Sequence, residues 1–223
     1  MTWQIHNVDC LEFLKSLPSG SVDAVVTDPP YGISMKKQVT KHTVRMGSYA
    51  SFSDGETETI ALVRAAITEC RRIAKCVLVS SGCRVLWNYP QPDDVGTVFM
   101  PNAVGAGRWG FNGNNPILYY GKCPYLSLGK GSRPNSVSAT TWKRRKNPEH
   151  PCEKPEKWME WMVARATVGQ GETVLDPFCG SGTTGVACVK TGRNFIGCEI
   201  DAGYCEIARR RCREAEESIG VFQ

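Results

Sequence analysis

Thr173-Val-Leu-Asp-Pro-Phe-Cys-Gly-Ser-Gly-Thr183 reads as a buried strand ending in a carboxylate, then a glycine-rich turn, then the first residue of a helix. Glycines in such a turn let the backbone come close to a nucleotide-like ligand, and Thr183 can open the helix, as in dinucleotide-type folds. A second stretch far upstream answers it. Val22-Asp-Ala-Val-Val-Thr27 is an apolar run that ends in Asp28-Pro29-Pro30-Tyr31. This tetrapeptide offers a carboxylate, a backbone carbonyl between two stiff prolines and an aromatic ring, which together can hold and stack a planar ring bearing an exocyclic amine. Each stretch alone has a bland reading, since glycine-rich turns are common and Asp-Pro-Pro ends many strands. Their occurrence on one chain is what carries weight.

Outward from these two stretches, strands and helices alternate. Apolar runs predict strands over 5–8, 22–27, 76–80, 97–100, 117–120, 173–175 and 195–199. Helical spacing predicts helices over 11–17, 56–73, 157–166, 183–190 and 204–218, the second capped by Asp54. Such alternation favours an α/β fold, a mainly parallel sheet with helices on both faces. Ligands in these sheets sit beyond the carboxyl ends of the strands. Asp9, Asp28, Asp176 and Glu199 all fall at expected strand ends, so four carboxylates should gather around one crevice. Glu199 is placed to accept hydrogen bonds from ribose hydroxyls. Residues 33–55 and 123–148 show no clean period and read as loops within a single domain spanning 1–223.

At 223 residues and 41% apolar content the chain can bury a full core. No window resembles a membrane span, and the start lacks a signal-peptide layout, so a cytoplasmic protein with no membrane association is expected. Eleven cysteines, an odd count without a C-x-x-C pair, argue for reduced thiols and against a zinc site. Cys198, Cys205 and Cys212 recur every seven residues but straddle a strand and a helix, which favours packing. The net charge of +5 is segregated. Residues 29–53 hold four Lys/Arg and residues 95–148 hold eight, with no acid in either window, leaving 15 basic against 22 acidic residues elsewhere. That distribution suits a surface for a polyanion.

On these residues the chain resembles the amino-directed (N6-adenine or N4-cytosine) DNA methyltransferases that use S-adenosylmethionine, in the permuted order with the catalytic tetrapeptide before the cofactor loop. Asn7-Val-Asp-Cys-Leu-Glu-Phe-Leu14, Thr27-Asp-Pro-Pro-Tyr31, Pro116-Ile-Leu-Tyr-Tyr-Gly-Lys122 and His150-Pro-Cys-Glu-Lys-Pro155 match that family in order. The resemblance implies a Rossmann-like sheet of seven strands with one reversed. It implies catalytic roles for Asp28, Pro29, Pro30 and Tyr31, with Asp28 and the Pro29 carbonyl accepting the two amine hydrogens and Tyr31 stacking on an extruded base. For the cofactor it implies Asp9 and Cys10 near the adenine with Phe178 against the same ring. Asp176, Cys179, Gly180, Ser181, Gly182 and Thr183 would lie around the remainder, Lys154 and Pro155 beside it, and Glu199 on the ribose.

Lys36, Lys37, Lys41 and Arg45 in the first acid-free window, and Arg133, Trp142, Lys143, Arg144, Arg145 and Lys146 in the second, are the expected DNA contacts, with Trp142 either stacking or anchoring its loop. The Asp at the head of the tetrapeptide favours adenine-N6. Cytosine-N4, an RNA substrate and a silent binding subunit stay open as alternatives. Double-stranded DNA is the expected partner. The small size of the loops suggests a short recognition site or help from a second subunit, with a homodimer as one arrangement, and the sequence says nothing of a restriction endonuclease.

Overall fold

The computed structural model describes residues 1–31, 56–101, 106–107, 110–139 and 154–220. In chain order its elements are β1 (Trp3–Asn7), α1 (Cys10–Ser16), β2 (Val22–Thr27), α2 (Glu56–Ile73), β3 (Ala74–Ser80), β4 (Asp94–Phe99), β5 (Ala106–Gly107), β6 (Gly110–Phe111), β7 (Asn114–Gly121), α3 (Pro124–Ser127), β8 (Val137–Ser138), α4 (Glu156–Ala166), β9 (Thr173–Asp176), α5 (Thr183–Lys190), β10 (Asn194–Glu199) and α6 (Ala202–Gly220). A short 3-10 helix, Leu86–Asn88, follows β3.

One sheet runs β1-β10-β9-β2-β3-β7-β4-β8. Neighbours from β1 to β3 pair in parallel, whereas β7 is antiparallel to both β3 and β4. The expected Rossmann-like α/β sheet with one reversed strand is therefore present. It carries an eighth strand, because the two residues of β8 lie parallel against β4 at the edge. β5 and β6 form a separate two-stranded ribbon. The stretch from 123 read as loop thus contains α3 and β8.

The sheet has a core on each face. Central strands buried on both sides are largely apolar, and Val22, Ala24, Val25 and Val26 of β2 are buried while Asp23 near its start is exposed. One core joins the sheet to α1 and α2 through Leu14, Val63, Ala66, Ile67 and Cys70. The other joins it to α4, α5 and α6 through Trp158, Met162, Val186, Cys205, Ala208 and Cys212. Cys198, Cys205 and Cys212 are fully buried packing residues, and every cysteine among the described residues is free. Among the described residues no helix is long and apolar enough to cross a membrane, and no group of His, Cys, Asp or Glu is arranged to hold a metal.

The strand order fixes what stands side by side at the carboxyl edge. Asp9 follows β1, Glu199 ends β10, Asp176 ends β9, Asp28 follows β2 and Ser80 ends β3. These are five successive neighbours of the sheet.

Candidate active site

Asp28 is the centre of the first half of this edge. Its Oδ1 accepts the Tyr31 hydroxyl at 2.6 Å, and its Oδ2 accepts the Lys154 ammonium at 2.6 Å. The Tyr31 hydroxyl also lies 3.0 Å from the Ser80 hydroxyl at the end of β3. Burial first, and then the Asp28 charge, push the Tyr31 phenol well above its ordinary pKa, so it remains a neutral donor. Lys154 sits between two aromatic faces, 5.2 Å from the Tyr31 ring centre and 5.6 Å from that of Trp158. Gly82 leaves the space that the Tyr31 ring uses, since a Cβ there would lie 3.2 Å from Tyr31 Cδ2. Asp28 thus presents a carboxylate fixed on one oxygen by its own motif and engaged on the other by the Lys154 cation. A ring amine would offer Oδ2 the same kind of N–H.

The second half is the turn after β9. Asp176 is buried, and its oxygens accept Thr27 Oγ1 (2.6 Å), Thr184 Oγ1 (2.6 Å) and the Phe178 amide (3.0 Å). Burial outweighs these bonds and lifts its pKa to about 6. Both its oxygens are committed within the protein, so Asp176 ties β2, the turn and α5 together and shapes the site from beneath. Glu199 differs, because it is only partly buried. One oxygen accepts the Gly180 amide at 3.0 Å and the other the Asp201 amide at 2.9 Å, leaving each a further lone pair. Burial raises its pKa against the pull of those amides. Asn7 Nδ2 donates to the carbonyls of Glu199 and Ile200, which locks the ends of β1 and β10 together. Asp9 caps α1 through one oxygen, accepting the Leu11 and Glu12 amides at 2.9 and 3.1 Å. Such a cap contributes about 1 kcal/mol, so Asp9 has a structural task beside any ligand contact.

Gly182 shows why the turn is rich in glycine. It has φ +81°, and a Cβ there would lie 2.7 Å from the Ala208 Cβ, so the residue serves the approach of α6 as well as the turn. Ser181 and Thr183 are buried, and the Arg211 guanidinium donates to the Ser181 carbonyl (2.8 Å), Ser181 Oγ (3.0 Å) and Thr183 Oγ1 (3.4 Å). Cys179 is buried and its thiol is pushed well above the ordinary range by burial, which suits packing and not nucleophilic attack. Cys10 behaves likewise, its thiol pushed up to about 12 by burial. Of the expected cofactor residues, Asp9, Phe178, Gly180 and Glu199 are partly accessible at the strand edge, while Cys10, Pro155, Asp176, Cys179, Ser181, Gly182 and Thr183 form its buried support.

Sequence reading missed Arg211, the two threonines on Asp176 and the Lys154–Asp28 pair. Arg211 lies within the stripe Cys205, Ala208, Cys212, Ala215 on α6, and that spacing could have marked it as inward-facing. Thr27 and Thr184, the clamps on Asp176, sit directly beside the two motifs. The Lys154–Asp28 pair bridges 126 positions, and nothing local announces it. Of the expected DNA contacts, Arg133 is exposed with its guanidinium 4.8 Å from the Tyr125 ring centre. Lys36, Lys37, Lys41, Arg45, Trp142, Lys143, Arg144, Arg145 and Lys146, like Asp54 and Cys152, lie outside the described residues.

A sheet with its carboxylates at the strand ends, a glycine turn and an Asp-Pro-Pro-Tyr corner define a class. A family model described as DNA methylase, covering N6 and N4 methyltransferases, matches residues 86–210, more than half of the chain, and the chain belongs to that family. It is 26% identical over 236 residues to the type II methyltransferase M.HpaI of Haemophilus parainfluenzae, spanning 91% of this chain and 72% of that protein. It is also 26% identical over 248 residues to the DNA adenine methyltransferase YhdJ of Escherichia coli strain K12, spanning 93% and 81%. In fold it is similar to M1.HpyAVI in its SAM complex, with a TM-score of 0.65 and 21% identity over 94% of this chain and 98% of that one. The PvuII DNA methyltransferase (cytosine-N4-specific) gives a TM-score of 0.66 at 18% identity over 95% and 86%.

Proposed function

We propose that this protein transfers the methyl group of S-adenosylmethionine to the exocyclic N6 of adenine in duplex DNA. The observation that carries the reading is the Asp28 carboxylate, anchored by Tyr31 at the same carboxyl edge of the sheet as the Gly180 turn and Glu199. Glu199, with a lone pair left on each oxygen, is an acceptor for a ribose diol. Phe178 supplies an apolar face for a base and Asp9 a second carboxylate one strand away, so the residues present fit the cofactor. When bound, that group supplies a methyl already activated on a sulfonium.

The chain's own residues position the other reactant. An amine conjugated to a ring is a poor nucleophile because its lone pair is delocalised into the ring. Asp28 Oδ2 accepting one N–H, and the Pro29 carbonyl the other, pull the nitrogen toward tetrahedral geometry and aim its lone pair. Lys154 yields Oδ2 to the amine as it enters, and Tyr31 stacks on the ring. Pro30 stiffens the corner. Adenine is favoured by the Asp at the head of the motif and by the relationship to YhdJ, whose name is that of an adenine enzyme. Lys36, Lys37, Lys41, Arg45, Arg133, Trp142 and Lys143 to Lys146 supply the DNA surface, and a second copy of the chain completes recognition where the loops are too short.

Incubation with labelled cofactor and unmethylated duplex, followed by digestion to nucleosides, tests the reading. Label in N6-methyladenine is expected. Label only in methylcytosine, or in RNA and not DNA, rejects it.

A further inference from the structure

Among the described residues, Trp87 is the most exposed large hydrophobic side chain, 84% accessible where the others reach at most 62%. A lone exposed apolar residue is ordinary on a protein surface. Trp87 is distinguished by where it stands and what holds it there. It belongs to the turn that leaves β3 at Gly82, the residue whose missing side chain admits the Tyr31 ring, so this turn is the wall behind Tyr31. The Val85 and Leu86 amides both return to the Gly82 carbonyl, at 3.1 and 3.2 Å. Cys83 Sγ donates to the Asn114 carbonyl of β7, and Arg64 of α2 donates to the Asn88 carbonyl at 2.9 Å. Val85 and Tyr89 are buried in the core on the α2 side, and Leu86 packs against it. The turn is thus fastened to β7, to α2 and to the core between α2 and the sheet, and Trp87 is held out from that base.

Arg84 is exposed three residues earlier. Arg84 and Trp87 are both exposed on this one short turn, so a cation and the largest aromatic ring are offered to solvent from the segment behind Tyr31. Between Ser80 and Gln91 the turn holds no acid. A guanidinium for a phosphate and an indole for a base face is the combination that recognises nucleic acid.

Resting on the reading that duplex DNA is the substrate, we propose that Trp87 enters the stack beside the target nucleotide and covers the face left open when the target base is drawn onto Tyr31, with Arg84 on a flanking phosphate. A wedge of this kind offsets the energy of opening the base pair, so its value depends on how firmly the target is paired.

That dependence gives the test. The methylated sequence is first mapped from label placed in unmethylated plasmid DNA, and duplexes are made with the target either paired or mismatched. Trp87→Ala is expected to lose about tenfold in kcat/KM on the paired duplex, the scale of one stacking contact. It should recover to within a few fold of wild type on the mismatched one, and Trp87→Phe should retain most of the activity on both. Arg84→Ala should flatten the salt dependence of duplex binding by about one phosphate contact. Because Trp87 is exposed, melting temperature and affinity for S-adenosylhomocysteine should not move in either variant. Equal loss on paired and mismatched DNA, or no loss at all, overturns the wedge while leaving the methyltransferase reading intact. A wild-type protein that labels no duplex overturns that reading and the wedge together.

Discussion

Asp28 and Glu199 are both carboxylates at strand ends, and their partners separate their tasks. Asp28 faces Tyr31 and Lys154, whereas Glu199 holds the Gly180 and Asp201 amides. Asp28→Ala should abolish turnover and leave affinity for S-adenosylhomocysteine within a few fold. Glu199→Ala should weaken that ligand by about 1–3 kcal/mol, the loss of hydrogen bonds to a partly buried carboxylate. Calorimetric titration of both variants settles the assignment, and equal losses would mean that the roles are wrongly divided. Asp176 supports a different prediction, in stability. Its folded pKa of about 6 lies above the ordinary 3.8. The native state therefore prefers the protonated acid, and this contribution is complete below about pH 4 and lost as pH rises through about 6. Asn is a neutral isostere that can keep Thr27 and Phe178 on its oxygen while Thr184 accepts from its amide. Relative to Asp176→Asn, the wild type should lose up to about 3 kcal/mol between pH 4 and 7 in urea unfolding, two pKa units of linkage. A difference that stays constant with pH would show that burial does not perturb Asp176.

At the scale of elements, the glycine turn and α6 form one unit, with Arg211 beneath Ser181 and Ala208 against Gly182. Gly182 and Gly171 offer a controlled comparison. Both have positive φ, at +81° and +80°, but a Cβ at Gly171 meets nothing within 4 Å, whereas at Gly182 it collides with α6. Gly171→Ala should cost only left-handed strain, about 1–2 kcal/mol. Gly182→Ala adds overpacking of about 1–3 kcal/mol and should displace α6, weakening cofactor binding as well. Thermal melts of the two variants test this, and equal destabilisation would remove the packing argument. The central elements were legible because burial dictates their composition. The residue bounds of β2, α2 and α5 coincide with the apolar runs and helical spacings read from the sequence. β4 begins at Asp94, three residues earlier than the apolar run suggests, because pairing Asp94 to Tyr119 and Gly96 to Ile117 of β7 draws polar and small residues into the ladder. β8 had no local signal, since two residues become a strand only by lying against Val98 and Phe99.

Across the whole molecule, chain order and strand order diverge, and the site exists only in the second. Residues 9, 199, 176, 28 and 80 stand in that sequence along one edge, so the four carboxylates could be anticipated from strand ends, but the tie of Asp28 to Lys154 and that of Tyr31 to Ser80 could not. Charge is the other property of the whole chain. The two acid-free windows carry twelve basic residues, and the remainder is net acidic, a segregation along the chain that suits a surface for a polyanion. Lys143, Arg144, Arg145 and Lys146 are the densest run and lie just before Lys154 in sequence, so a duplex held there is tethered close in chain to the cation on Asp28. Each phosphate neutralised releases counterions, and the logarithm of affinity falls with the logarithm of salt at roughly −0.9 per contact. Replacing all four by Ala should flatten that slope by up to about 3–4 units and leave cofactor affinity unchanged. Phosphate contacts position a duplex without reading it, so cognate and random DNA should weaken alike. An unchanged slope moves the electrostatic surface to Lys36, Lys37, Lys41 and Arg45, whereas a loss confined to cognate DNA means that these four side chains read bases.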